Sequence, residues 1–509
     1  MNSYTSNEGP SMHQHRTVFW IVLATFLSLQ TATETGAKEP RWNVLWIMAD
    51  DLNNQIGCYG DTSASTPHLD SLARSSMRFD RAYCAFPLCG PSRNAILTGL
   101  YPNSTGIWNN GQIFRQTIPK HISLPQAFRR EGYWVVRAGK MYHYNVPNSI
   151  GTDGHDDPAS WEVEFNPSGV DRNREHSQIF SLKEREFGGT LSWLASDHPE
   201  PLHTDALLAE DAIWALQRCA ARADHPFFLS VGFFRPHTPY VAPKEYFARH
   251  PLDQIPVERD VAADQEDIPQ PALASAKPEQ AAMTDRQRQE ALQAYRSSIS
   301  FMDAQVGKVL AALESSGLAD RTIVVFTSDH GYHTGEHGLW QKMSLFEESA
   351  RVPLLIRVPG WTDQGTVSNS PVSHIDLYPT LMELAAIRPE VPLQGQSLVP
   401  ILKDPQHAGR GWALTQVSRG QASNRFFGYS LRTQRWRYTE WDNGAKGREL
   451  YDHQTDPREL RNLAELPEFA ADAQQLSEQL AEAVKTTMPA SGEKIELKPG
   501  LWAPVWIDP

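Results

Sequence analysis

The chain has 509 residues, 40% of them hydrophobic and 15 of them tryptophan, more than one compact core usually holds. Its formal net charge of -13 excludes a protein that coats nucleic acid through a broad basic surface, so an anionic substrate has to be gripped locally. Four cysteines, Cys58, Cys84, Cys89 and Cys219, are too few for a disulfide framework, with Cys58 and Cys84 the one candidate pair.

Near the start, Val18–Leu29 is the sustained apolar run, preceded by Arg16 and followed by Thr35-Gly36-Ala37, where small residues suit a signal peptidase. It is short for a bilayer span and reads as a secretory signal within residues 1–37, with Met12 as an alternative start. A secreted or periplasmic protein without stable membrane insertion is expected. Residues 38–402 read as a catalytic domain and 403–509 as a smaller C-terminal subdomain.

Along the mature chain, Val44–Met48 is a continuous apolar run that delivers Asp50 and Asp51, as a buried strand does at its C-terminal end. Ile323–Phe326 repeats the arrangement and leads to Asp329 and His330. Trp134–Val136 leads to Lys140 and His143, and Phe227–Gly232 leads to Arg235 and His237. Ligands of open α/β sheets gather at such strand ends. Pro67–Ser76 and Leu124–Glu131 read as short helices, and the apolar positions from Tyr295 to Leu313 as a longer one. Pro251–Met283 is polar, proline-bearing and aperiodic, and reads as a long surface loop at the pocket rim.

Cys89-Gly90-Pro91-Ser92-Arg93, with Leu97-Thr98-Gly99 behind it, is the most specific stretch. A cysteine with Pro, Ser and Arg at these offsets arises by chance on the order of once in a thousand such chains. Pro91 suits the first turn of a helix, which places residue 89 at an anion-favouring N-terminus. The stretch resembles the Cys-x-Pro-Ser-Arg box of the type I sulfatases, in which a formylglycine-generating enzyme converts the cysteine to formylglycine. Lys140–His143, Arg235–Pro239, Ser328–Gly331 with Gly335–Gly338 and Lys342, and Gly428–Thr433 with Arg437–Thr439 resemble the iduronate-2-sulfatase branch of that family in order and spacing. Gly90 and Tyr332 depart from the branch's pattern.

Three carboxylates brought together repel one another unless a cation sits among them. Oxygen-rich donors favour calcium or magnesium over zinc. The resemblance implies calcium, with Asp50, Asp51, residue 89, Asp329 and His330 as ligands. It further implies a hydrated aldehyde at residue 89 as the nucleophile, with Arg93, Lys140 and Lys342 supplying positive charge to the sulfate. His237 is the candidate acid for the leaving sugar oxygen, and His143 assists recovery of the aldehyde. The expected substrate is a sulfated carbohydrate, a 2-O-sulfated uronic acid being favoured. A sulfatase on another sulfated polysaccharide, a phosphoester or phosphonate hydrolase on the same scaffold, and a non-catalytic carbohydrate-binding relative are the alternatives.

Beyond a polar linker at Lys403–Arg410, short strands are expected at Ala413–Thr415, Phe427–Arg432, Trp436–Trp441 and Glu449–Asp452, with an amphipathic helix over Glu465–Lys485. An antiparallel sheet with one helix, beside an alkaline-phosphatase-like α/β main domain with a large mixed sheet, is also what the resemblance implies. Arg425 stands where that branch has a lysine for the sugar carboxylate, and an arginine there would grip it bidentately.

Overall fold

The run at residues 44–48 forms the centre of strand β1 (Asn43–Asp50), every residue of which is buried. Leu45, Ile47 and Ala49 enter the core on one face of the sheet, while Val44, Trp46 and Met48 enter the core on the other. That alternation is what a strand covered on both faces requires. Parallel to β1 run β3 (Phe227–Pro236) on one side and β4 (Thr322–Ser328) on the other, and β2 (Trp134–Gly139) pairs in parallel with β3. Val163–Phe165 extends this group beside β2. On the far side of β4, Leu354–Arg357 is antiparallel, followed by Met77–Phe79 and Thr366–Ser368, completing an eight-stranded mixed sheet. The parallel centre sends the C-terminal ends of β1 to β4 to a single edge, so Asp50, Lys140, His237 and Asp329 emerge together. The computed structural model describes residues 41–489 apart from 223, 260 and 421–423. The apolar run Val18–Leu29, its boundary at residue 37 and Met12 lie outside them. Among the described residues no helix is long and apolar enough to cross a membrane.

Helix α1 (Cys89–Thr98) is buried along its whole length and ends at Gly99, whose φ of 66° a side chain would strain. Helices α2 (Thr204–Ala220) and α3 (Asp285–Ser315) cover the face opposite α1. The structure corrects the expected start of α3 at Tyr295, placing it at Asp285. Thr284 begins the helix with a capping box: its hydroxyl accepts from Gln287 N at 3.2 Å, and Gln287 Oε1 accepts from Thr284 N at 3.0 Å. The first turns are polar and largely exposed, so no apolar period marks them.

Pro251–Met283 is also not the structureless loop expected. It holds one-turn helices at Val261–Asp264, Gln270–Leu273 and Pro278–Ala281, too short to leave a period in the sequence. Pro271 and Pro278 stand in first turns, where the missing N–H breaks no helical bond. Cys58 and Cys84 are both free thiols, which removes the candidate disulfide.

Beyond Lys403, Ala413–Arg419, Phe426–Arg432, Trp436–Trp441 and Arg448–Asp452 form a sequential antiparallel sheet. Helix α4 (Ala470–Thr486) buries Ala473, Leu476, Leu480 and Ala483 against it. It begins later than Glu465 because a short 3-10 turn at Pro467–Phe469 intervenes. A buried ionic network fastens this sheet to the main domain. Arg437, 1% exposed, donates to Glu347 and Glu459, to the Leu345 carbonyl at 3.0 Å and to Ser430 Oγ at 3.2 Å. Glu459 also accepts from His453 Nε2 at 2.7 Å, and the Tyr83 hydroxyl donates to Glu347 at 2.9 Å. Removing one partner of such a network strands buried charges. Arg437→Ala is therefore expected to cost about 3–5 kcal/mol, read as a lower midpoint in urea unfolding, and an unchanged midpoint would contradict this role.

Candidate active site

Asp51 turns the chain at the end of β1 with φ 65°, a conformation rare for a non-glycine residue and often retained at functional sites. Its N–H donates to Asp329 Oδ1 at 3.1 Å, and its carbonyl accepts from the Tyr295 hydroxyl at 2.8 Å. Leu52 N donates to Ser328 Oγ at 2.9 Å, so β1 and β4 are laced together where their chemistry begins. Tyr332 stacks on Tyr295 at 5.2 Å and shares a 2.6 Å hydroxyl hydrogen bond with Tyr240. This tyrosine layer behind Asp51 occupies one of the two positions that depart from the branch's pattern.

Cys89 opens α1 and lies fully buried at the centre. Its Sγ is 3.3 Å from His330 Nε2, 3.2 Å from Lys342 Nζ and 3.8 Å from Asp51 Oδ1. Gly90, the other departure, has a reason in packing: its N–H donates to Asn110 Oδ1 at 2.8 Å, and a Cβ there would come within 2.9 Å of the Asn110 backbone.

Arg93 is fully buried and its nitrogens are occupied. Nε donates to Asp329 Oδ2 at 2.9 Å, Nη2 to Asp50 Oδ1 at 3.0 Å, and Nη1 to the carbonyls of Lys140 and Met141. It therefore positions the two carboxylates, with four of its five N–H donors taken by Asp329, Asp50 and the two carbonyls. Lys140 Nζ lies 2.5 Å from Asp50 Oδ2, and Lys342 Nζ pairs with Asp51 Oδ1. Burial opposes ionisation of Asp329, but Arg93 and His330 outweigh it and hold the carboxyl below the usual range. Burial, reinforced by Lys140 and His155, pushes the His143 imidazole well below its ordinary value, so it is neutral. His330 Nδ1 faces the Gly331 carbonyl at 2.9 Å, which leaves Nε2 as the atom aimed at Cys89 and the carboxylates.

Above this floor opens a cavity of about 780 Å³, lined by His143, His237 and Lys342 from the expected set. A larger depression of about 1010 Å³, lined by Arg249, Arg296 and Arg351, holds none of the expected site residues. Arg425 is not brought into the 780 Å³ cavity: it is exposed, and its guanidinium lies over the Trp108 ring at 5.2 Å. Just ahead of Phe426–Arg432 the chain thus directs it onto an aromatic face. Asn110, His155, Lys277 and Gln341 line the cavity without having been singled out in the sequence. Asn110, His155 and Lys277 stand in loops or at a short turn and Gln341 in the two-residue strand Trp340–Gln341, where periodicity carries no signal.

A family model described as Sulfatase matches residues 42–387, more than half of the chain. The chain belongs to the sulfatase family. A second model, N-sulphoglucosamine sulphohydrolase, C-terminal, matches residues 335–486. A sulfatase of Formosa agariphila is 31% identical over 441 residues, covering 83% of each chain. The iduronate 2-sulfatase of Homo sapiens is 30% identical over 510 residues, covering 85% of this chain and 91% of its own. Among solved structures, the phosphonate monoester hydrolase of Agrobacterium radiobacter superposes with a TM-score of 0.72 at 23% identity, over 88% of this chain and 96% of its own. That likeness bears on the fold alone, an alkaline-phosphatase-like α/β domain with a smaller antiparallel C-terminal part.

In this sulfatase Asp51, Cys89, Asp329 and His330 each offer an atom within 4.8 Å of the others. Asp50, the fifth expected ligand, adjoins that set with Arg93 and Lys140 on its two oxygens. Repulsion among the carboxylates is thus already offset by three cationic side chains. The pointer to a metal is different: Asp51 Oδ2 is buried with no hydrogen-bond donor, and His330 Nε2 is oriented by the bond on its other nitrogen, as a metal-ligating histidine is. The donor set fits a divalent cation. Asp329→Asn is expected to lower divalent-cation affinity by at least about tenfold, measured by titration calorimetry; an unaltered affinity would take Asp329 out of the ligand set.

Proposed function

We propose that this sulfatase hydrolyses the sulfate ester of a sulfated carbohydrate, a 2-O-sulfated uronic acid being favoured, with a formylglycine derived from Cys89 and one calcium ion. The observation that carries the reading is the placement of Cys89 at the N-terminus of α1, between Lys342 and His330, under a cavity deep enough for a sugar. The similarity to iduronate 2-sulfatase supports the uronate. Calcium would be held by Asp51, Asp329, His330 and residue 89, where with the aldehyde it supplies charge neutralisation and an oxygen nucleophile; magnesium suits the set less.

The chain's own side chains do the rest. Lys342 places an ammonium beside residue 89 and Lys140 one on Asp50, adding positive charge where negative charge grows on the sulfate as sulfur is attacked. Arg93 keeps Asp50 and Asp329 in register beneath them. His237 turns Nδ1 to the Thr238 carbonyl, so Nε2 is the atom that faces the cavity, 3.7 Å from Asp51 Oδ2. Nε2 is the atom placed to deliver a proton to the leaving sugar oxygen. His143, kept neutral by burial and by Lys140, lines the cavity and assists removal of the proton as sulfate departs by hydrogen bonding, since the same burial makes it a weak base. Maturation by a formylglycine-generating enzyme and action outside the cytoplasm, secreted or periplasmic, complete the reading.

The test uses protein co-expressed with a formylglycine-generating enzyme and compares an aryl sulfate, a 2-O-sulfated uronate, an aryl phosphate and a phosphonate monoester. The kcat/KM for sulfate esters should exceed that for the phosphorus esters by at least about tenfold, and Cys89→Ala should abolish turnover. Faster phosphonate than sulfate hydrolysis would move the assignment to the phosphorus esters.

A further inference from the structure

Three cationic side chains line the cavity, and two are already committed. Lys342 pairs with Asp51. Arg419 donates to the carbonyls of Pro271 at 2.9 Å, Met343 at 2.7 Å and Ser418 at 3.3 Å, so its guanidinium serves to fasten the 251–283 segment and the Lys342 strand to the C-terminal sheet. Lys277 is different. It stands at the head of the turn Pro278–Ala281, half-buried, and its Nζ donates to two neutral acceptors, the Gly189 carbonyl and Gln341 Oε1. An ammonium carries three N–H donors, and among the described residues no carboxylate pairs with this one. Glu279, the acid nearest in sequence, is turned to Lys183 at 3.9 Å and to Thr190 Oγ1 at 3.4 Å.

The surroundings make that ammonium under-compensated. Burial brings Lys277 down to about 8; Glu279 opposes it with the largest single charge effect, while Lys342 and Lys183 add to the lowering. Two neutral oxygens offset the desolvation of a cation poorly, whereas an oxyanion would satisfy both its charge and its remaining donor. The acceptor that orients it is itself fixed: Gln341 is buried, has a φ of 71°, and its Oε1 also accepts from Gln280 Nε2 at 2.9 Å. Gln341 adjoins Lys342, whose Nζ reaches Cys89 Sγ at 3.2 Å. Lys277 is therefore held beside the reacting centre without being part of it.

We propose that Lys277 determines specificity by holding an oxyanion of the substrate sugar other than the scissile sulfate, the carboxylate of a uronic acid. The inference rests on the sulfatase reading above and gives the Pro251–Met283 segment its function: it delivers the cation that Arg425 does not deliver. The recognition is of charge, so a second sulfate could occupy the same place, and the experiment separates the two sources.

Wild type, Lys277→Met and Lys277→Arg are compared on a 2-O-sulfated uronate, the matching neutral 2-O-sulfated pyranoside and its 6-O-sulfated form. In Lys277→Met the kcat/KM preference for the uronate over the neutral sugar should fall at least about tenfold, carried by KM, with Lys277→Arg restoring most of it. Should the 6-O-sulfated sugar lose its advantage and the uronate keep its own, the oxyanion site stands and its occupant is a sulfate. Equal losses on all three sugars would reduce Lys277 to a strap between Gly189 and Gln341 and overturn the proposal. Because loss of the strap can unseat the segment, wild type is also inhibited with an unsulfated uronate and an unsulfated neutral glycoside. The uronate should bind at least about tenfold tighter, and equal inhibition overturns the proposal without any variant. A wild type that turns over no sulfate ester would count against the sulfatase reading as well; turnover with an unmoved preference counts against Lys277 alone.

Discussion

The structure depends on one buried guanidinium. Arg93 joins Asp50 at the end of β1 to Asp329 at the end of β4, and its remaining nitrogen reaches the carbonyls that follow β2. Three strand ends and the helix that begins with Cys89 are thereby held in one geometry. A charge with no exposure to water needs paired charges and hydrogen-bond acceptors around it, and here Asp50 and Asp329 are among them. The helix that Cys89 opens accordingly shows no amphipathic face: all ten residues of α1 are buried.

A second ionic knot, around Arg437, does for the far wall what Arg93 does for the floor. It grips Leu345 and Glu347, immediately after Lys342, and ties them to Glu459 and Ser430 of the C-terminal part. Arg419 adds carbonyl contacts to Met343 and Pro271. The smaller sheet thus positions Lys342 and the 251–283 segment from behind, and its influence on the cavity runs through backbone it clamps. Arg425, though in the same part of the chain, faces outward onto Trp108 and takes no share in this.

How much of this was legible follows from what each residue's role leaves in the sequence. The buried strands of the parallel centre announce themselves as apolar runs, and the acids and histidines at their ends follow from the rule that such sheets bind at that edge. Gly90 and Tyr332 could be noticed as departures, but their causes, the approach of Asn110 and the stacking on Tyr295, are tertiary. The start of α3 was hidden because its first turns are polar, though Thr284 and Gln287 carry a capping signal that could have marked it. Arg93 was read as positive charge for the sulfate because charge is visible in a sequence, whereas its bonds to Asp50 and Asp329 are not. Lys277 left no trace at all: an ammonium on a one-turn helix within a proline-bearing segment becomes significant only when the fold sets it beside Gln341.

Everything in this account converges on residue 89 as the group that reacts, with the floor, the cations and the cavity arranged around it. The most direct test is mass spectrometry of the peptide spanning residue 89, from protein made with a formylglycine-generating enzyme and assayed for sulfate release in the same preparations. The account predicts an aldehyde at residue 89 whose fraction tracks specific activity from one preparation to the next. Full activity in protein whose Cys89 is an unmodified thiol would contradict it.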